Sequence, residues 1–551
     1  MVCTQRRRPR GDPNGALDAR RQMGRRVGMA DGRDGRGPHD HGDRAYGWVG
    51  ALSSRRAALT PDDVAVEAPA RDATYTYGDL DERADRTARA LRSLGVEPGD
   101  AVAAVSRNRV ELLDLYFATA KTGSLLAPLS HRLAERELAA VVGDVDPAVV
   151  VVETPFEADL IDALERSDAD PTVRSLPTDD DHRYEPLAAD AYDPGGLETV
   201  DAALSDPHLL LHTSGSTGTP KETVLDHGAI HWNAYNTVTS WGLRPDDVSP
   251  IAFPMFGTGG WNVLLLPFFQ LGATVLLRRE VSPGTLLADV ERAGATTLVG
   301  TPTTLGAMAR HDDWASTDLS SLRFAKSGGG PCRAATLEAW RDRGVDVSQG
   351  YGLTECGPNN FAMPADAPPG KGDTVGVPGL FVDYRLVDEE GDPVDRGEVG
   401  ELELAGPAAA AGYLGSPEAD TFGEWVSTGD LARVDGDGYV HVEGRTDDMF
   451  VSDGENVYPR QVEAAIVDHP AVEDAVVYGV PDERLGAVPE AVVVATRSLT
   501  ASELASFLEP RVADYAVPTA LEVVEALPRS GVGNVDREAV AEMYGGSVTH
   551  D

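Results

Sequence analysis

From about Tyr46 onward, amphipathic stretches alternate with short runs of β-branched residues, the pattern of an α/β domain with buried parallel strands. In LDERADRTARALRSL, the residues Leu80, Ala84, Thr87, Leu91 and Leu94 recur at spacings of three and four, which predicts a helix over Leu80–Leu94 with Gly95 as its stop. Pro98 and Gly99 mark the following turn, and the apolar run 101–106 reads as a strand. HLLLH, from His208 to His212, reads as another short buried strand. Composition changes near Gly444. Beyond it lie separate strands (Ala475–Val480, Ala491–Ala495) and helices (Pro459–Val467, Ala501–Leu508), enough for a small α+β lobe able to move by itself. The expected division is a disordered extension over 1–44, a large domain over 45–444 and a mobile C-terminal domain over 445–551. The extension is rich in Arg, Gly and Asp without apolar periodicity, and Met29 is a candidate true start. The apolar run Val263–Leu271 is broken by Pro267 and Gln270 and is far shorter than the roughly 20 residues of a bilayer span, so no membrane span is expected.

Charge changes the picture of partners. Among 551 residues, 90 acids face 48 basic residues, a net charge of -42, and only four of the basic residues are lysines (Lys121, Lys221, Lys326, Lys371). Acid spread over the whole chain predicts the salt-rich cytoplasm of a halophile, with a halophilic archaeon as the expected source, because a Debye length of about 3 Å at molar salt screens the self-repulsion. Nucleic acid and anionic membranes are poor partners for such a field. Three scattered cysteines (Cys3, Cys332, Cys356) form neither a disulfide framework nor a zinc site, consistent with a cytoplasmic protein.

The predicted strand His208–His212 runs into TSGSTGTPK, which holds two glycines, five hydroxyl residues and a terminal lysine. Glycines let backbone N–H groups converge on an anion, the hydroxyls of Thr213, Ser214, Ser216 and Thr217 add donors, and Lys221 supplies a point charge, so the segment is a phosphate cradle by chemistry. Pro220 before the lysine and Glu222 after it exclude the G-x-x-x-x-G-K-[ST] loop.

TSGSTGTPK resembles the signature loop of the adenylate-forming (AMP-binding) superfamily, which includes acyl-CoA synthetases. Further stretches match in order: FPMFGTGGWNVLLLPFF from Phe253, SGGGP from Ser327, QGYGLTECGPNN from Gln349, STGDLARVDGDGYVHVEGRTDD from Ser427 and GENVYP from Gly454. With TYTYGDLDERA from Thr74, the resemblance covers about 46–540 and implies a large adenylate-forming domain with parallel sheets plus a small mobile lobe. It also implies ATP, Mg2+ and coenzyme A as cofactors and a small carboxylic acid as substrate, and it leaves a homodimer open. Carried over residue by residue, Thr213, Ser214, Gly215, Ser216, Thr217, Gly218 and Lys221 would grip phosphates. Thr354 would contact phosphate and Glu355 would help hold Mg2+. Asp430 would accept the ribose hydroxyls with Arg445 beside it, and Gly328, Gly329 and Gly330 would let adenine and the acyl carboxylate lie close, with Tyr351 stacking. Asp447 matches the hinge of the small lobe, and Gly454 the thiol tunnel.

Three departures from the family pattern bear on activity. Asn534 follows Gly533 where relatives carry a catalytic lysine, and losing one preorganised cationic donor costs on the order of 3–4 kcal/mol. Arg529 and Arg537 are the nearest substitute charges. Gly257 replaces a usual His, predicting a roomier entrance, and Glu222 replaces a usual Gly, where it is expected to pair with Lys221 in the empty site. Phe253, Met255, Phe256, Trp261 and Met308 fall near segments that line the acyl pocket in relatives, though core packing explains them equally. The expected activity is AMP-forming ligation of a medium- or long-chain fatty acid to coenzyme A. A weakened nucleotide-binding homologue and transfer to a carrier-protein thiol are the alternatives.

Overall fold

The computed structural model describes residues 48–176, 182–213, 221–330, 332–364, 367–368, 370–415, 422–482, 484–529 and 535–544. The expected extension over 1–44, the loop residues Ser214–Pro220 and Asn534 lie outside the described residues.

The large domain is built on a seven-stranded sheet. In spatial order its strands are Gly412–Tyr413, Lys221–Asp226, Pro207–Thr213, Leu125–Leu129, Ala101–Val105, Val149–Glu153 and Thr172–Leu176. The five strands from Pro207–Thr213 to Thr172–Leu176 run parallel, as expected, whereas Lys221–Asp226 is antiparallel to both of its neighbours, Pro207–Thr213 and Gly412–Tyr413. Ala101–Val105 and Val149–Glu153 are buried along their whole length, which is why they read as continuous apolar runs rather than alternating ones. The predicted first helix spans Tyr77–Ser93, with Leu80, Ala84, Thr87 and Leu91 buried. It begins three residues early because Thr76 accepts from the Asp79 backbone N–H while the Asp79 carboxylate accepts from that of Thr76, a capping box.

A second layer joins Val64–Ala68, Ala73–Thr76, Thr274–Leu276 and Val248–Pro250, and beside it run the parallel strands Thr297–Gly300, Phe324–Ser327 and Val347–Gln349. An antiparallel sheet of Asp383–Val387, Gly400–Ala405, Val426–Val434 and Val440–Arg445 completes the large domain. The last sheet, Phe450–Ser452, Glu455–Val457, Gly486–Ala495, Val472–Asp482 and Ala520–Val524, uses only residues beyond Arg445 and has its own core around Val477, Val493 and Leu504. Its helices Pro459–Val467 and Ala501–Leu508 coincide with the predicted spans. Among the described residues, no helix is long and apolar enough to cross a membrane.

Candidate active site

Three predicted site segments leave the carboxyl ends of strands, where open α/β sheets place ligands. Thr213 and Lys221 face each other in register at the top of the hairpin, so the phosphate loop between them is held at both feet. Gly328, Gly329 and Gly330 follow the strand Phe324–Ser327, and a Cβ added to any of them would meet nothing within 4 Å, which makes them an open shelf. Tyr351 begins immediately beyond Val347–Gln349.

Asp430 and Arg445 are cross-strand partners in the antiparallel sheet. Tyr351 Oη donates to Asp430 Oδ2 at 2.6 Å, so this ring is a hydrogen-bonding partner of the carboxylate as well as a flat surface. Burial, with Asp430 beside it, raises the Tyr351 hydroxyl well above its ordinary value and keeps it a donor. Asp430 Oδ1 is buried without a hydrogen bond, while the guanidinium groups of Arg445 and Arg460 stand 3.5 and 3.7 Å away. A carboxylate oxygen compensated in this way yet left open suits the hydroxyls of a ribose. Arg445 also donates to Thr428 O at 2.7 Å.

Thr354 and Glu355 lie in a single helical turn, Thr354–Cys356. Tyr413 Oη donates to Glu355 Oε1 at 3.1 Å, and the Ala410 backbone N–H donates to Glu355 O at 2.8 Å. Over the face of the Tyr413 ring stands Lys221, its Nζ 5.1 Å from the centroid. Lys221 and Glu355, far apart in sequence, thus converge on one aromatic ring. Glu355 offers a hard oxygen donor, and one carboxylate plus substrate phosphates is a donor set that Mg2+ accepts.

The expected pairing of Glu222 with Lys221 is absent. Adjacent strand residues point to opposite faces, and Glu222 shares its face with Val224, which packs in the core beside Leu138, Val141 and Val142. Glu222 is 4% exposed, neither carboxyl oxygen has a hydrogen-bond partner, and burial with Asp144 nearby pushes it up to about 8. His212 faces it in register and is likewise unpartnered, its imidazole pushed down to about 4 by burial.

Arg529 and Arg537 do not stand as free substitute charges. Arg537 binds Glu463 at 2.6 Å and Asp448 at 3.2 Å, and Arg529 binds Asp474 at 2.8 Å. Of the other lysines, Lys121 is clamped at 2.6 Å by both Asp81 and Asp85, Lys371 at 2.6 Å by Asp435, and buried Lys326 donates to Ser348 at 2.9 Å. Asp447 is exposed in the turn 446–448 that joins the strands Val440–Arg445 and Phe450–Ser452 of the last two sheets. Gly454, with φ +84°, forms with Asp453, φ +53°, the two-residue turn of the hairpin Phe450–Ser452 and Glu455–Val457, where such angles favour Asp-Gly. Among the described residues no hydrogen bond joins Gly454 to Lys221, Glu355 or Asp430.

The apolar residues divide. Met255, Trp261 and Met308 are core: Trp261 stacks on Tyr116 at 4.9 Å, Met255 shares that cluster, and Met308 packs with Trp340 and Leu305. Phe256 instead borders His131 and His212 at ring distances of 5.5 and 6.1 Å, and Phe253 is only partly buried. At Gly257 a Cβ would meet nothing within 4 Å, in keeping with a roomy entrance. Two residues not singled out in the sequence join the site, Tyr413 and Arg460. Arg460 directly follows the GENVYP stretch, whereas no local signal marks Tyr413.

Residues 53–414 match the AMP-binding enzyme family and residues 461–534 match the AMP-binding enzyme C-terminal domain. Feruloyl-CoA synthase of an Amycolatopsis species is 37% identical over 90% of this chain and 99% of that protein. A long-chain-fatty-acid–CoA ligase of Mycobacterium tuberculosis is 29% identical over 91% of this chain and 99% of its own. Among solved structures, anthranilate CoA ligase AuaEII in complex with anthranoyl-AMP superposes with a TM-score of 0.82 at 26% identity, covering 91% of this chain and 97% of that one.

Proposed function

The chain belongs to the AMP-binding enzymes, a family of adenylate-forming CoA ligases, and from that premise we propose that it activates an aryl carboxylic acid with ATP and passes the acyl group to coenzyme A. The observation that carries this reading is the convergence of Lys221 and Glu355 on Tyr413 at the foot of the phosphate loop. Acid and α-phosphate are both negative, so the task is to neutralise charge and align the two. Lys221 places its ammonium against the outer phosphates, Asp430 Oδ1 accepts from the ribose, and the open shelf at Gly328–Gly330 lets base and carboxylate approach. Glu355, with Thr354 beside it, would hold Mg2+, which would neutralise phosphate charge when bound. Asp447 is proposed as the hinge between the domains and Gly454 as part of the thiol path.

Two observations support an aryl acid. The relative at 37% identity is named for feruloyl-CoA, and Met255, Trp261 and Met308, which fall near segments that line the acyl pocket in relatives, are taken up by the core. A fatty acid is the second reading, favoured by the 29% identical long-chain ligase.

The test measures AMP release with coenzyme A for ferulate, anthranilate and fatty acids of medium and long chain, at the molar salt that a charge of -42 proposes. An aryl acid should give the highest kcat/KM. A preference for a fatty acid would reverse the substrate reading, and no release with any acid would sink the ligase reading. Asn534→Lys should raise acid-dependent pyrophosphate exchange by up to about 10²–10³ and leave thioester formation from premade acyl-adenylate unchanged; equal exchange in both proteins would show that Asn534 does not limit adenylation.

A further inference from the structure

We propose that Tyr413 is a positioning residue that holds Lys221 over its ring face and Glu355 at its hydroxyl, so that cation and carboxylate do not neutralise each other before nucleotide and metal ion arrive. This rests on the adenylate-forming reading above.

Tyr413 comes from a two-residue edge strand, Gly412–Tyr413, whose register places it opposite Thr223. Thr223 is two residues from Lys221, so all three share one face of the sheet. The Lys221 ammonium lies 5.1 Å from the centre of the ring, and the ring's hydroxyl reaches Glu355 Oε1 at 3.1 Å. Phe422 packs edge-on against Tyr413 at 5.1 Å and fixes the ring plane. Among the described residues Lys221 forms no ion pair, whereas Lys121 and Lys371 are each clamped by two carboxylates. In a protein carrying 90 acidic side chains, a lysine without a carboxylate needs a structural reason, and the ring provides one. Its face attracts the ammonium while its hydroxyl engages the Glu355 carboxylate, so each charge has a partner on the ring other than the opposite charge. Without the ring, lysine and glutamate could close into an ion pair, and partial burial would strengthen that pair relative to water.

Two variants separate the roles of hydroxyl and ring. Calorimetry measures ATP binding across a magnesium chloride titration, beside acid-dependent pyrophosphate exchange in the same preparations. Tyr413→Phe keeps the ring and removes the donor to Glu355. It should raise the magnesium needed for half-saturation about tenfold and leave ATP affinity at saturating magnesium within about twofold of wild type. Tyr413→Leu removes the ring as well, and ATP affinity at saturating magnesium should fall by about a further tenfold. Adding Glu355→Gln to Tyr413→Leu should restore ATP affinity measured without magnesium, because Lys221 is released. Identical behaviour of the Phe and Leu variants, an unchanged magnesium requirement in Tyr413→Phe, or no recovery in the double variant would each reduce Tyr413 to packing. Wild-type protein that binds ATP and magnesium but shows no acid-dependent exchange would overturn the ligase reading and leave the Tyr413 result standing, since binding is the readout.

Discussion

Around Asp430 the charges are mutually compensated: Tyr351 donates to one carboxylate oxygen, and Arg445 and Arg460 flank the other. Around Lys221 they are not. The ammonium rests on a ring, and the next residue, Glu222, is buried without a partner. The nucleoside end is therefore preorganised by protein groups that stabilise one another, and the phosphate end keeps its charge for the ligand. A socket of the first kind holds its shape when empty, while one of the second kind is completed by what binds.

Removing the uncompensated cation gives the largest expected effect. Lys221→Met should lower acid-dependent pyrophosphate exchange by about 10²–10³, since Lys121, Lys326 and Lys371 are engaged elsewhere. Thermal stability should stay near wild type, because among the described residues Lys221 forms no ion pair. A drop below about tenfold, read by isotope exchange at saturating ATP, would mean that another group carries the phosphate charge.

At the compensated end the effect should be smaller in rate and larger in structure. Asp430→Asn leaves the guanidinium groups of Arg445 and Arg460 facing a neutral amide, and Tyr351 keeps an acceptor. ATP affinity should fall about tenfold and unfolding stability by about 1–2 kcal/mol. Calorimetric binding and urea denaturation measure both. A loss of affinity without any loss of stability would show that the network serves the ligand alone.

The contrast between the two ends was only partly legible in the chain. Helices Pro459–Val467 and Ala501–Leu508 could be read to their ends because apolar period and termini agree, Pro459 opening one and Thr500 capping the other. The start at Tyr77 was missed because the polar Gly78 and Asp79 hide a cap inside an otherwise amphipathic pattern. Lys221, Glu355 and Asp430 could be named from motifs, but what surrounds them could not. Tyr413 reaches Glu355 across 58 residues by edge-strand register, and Tyr351 reaches Asp430 across 79. Trp261 and Met308 remained ambiguous for a different reason: a pocket wall and a core demand the same apolar residues, and only the stacking of Trp261 on Tyr116 decides. The direction of Glu222 follows from strand alternation once the hairpin is known, and before that an acid beside a lysine looks like a pair.

Glu222 is also where the smallest effect should appear, and its sign can be worked out. Its folded value of about 8 lies above the ordinary 4.5, so between those values the folded chain holds a proton that the unfolded chain has released. Stability from this group is full below 4.5 and is lost as pH rises through 8. His212 acts in the opposite sense: its folded value of about 4 lies below the ordinary 6.5, so its contribution is present above 6.5 and is lost as pH falls towards 4. Asp144, whose charge helps raise Glu222, is itself raised by burial, so its own contribution is full below the ordinary 3.8 and is lost as pH rises from there. Glu222→Gln should therefore flatten the alkaline limb of a stability profile, gaining about 1–3 kcal/mol at about pH 8, and leave in place the acid limb, to which His212 contributes with His131, His208 and His227, also lowered by burial. Urea unfolding from about pH 5 to about pH 9 reads both limbs. Wild-type and variant curves that run parallel throughout would mean that Glu222 ionises freely in the folded protein, and the contrast between the two ends of the site would then rest on Lys221 alone.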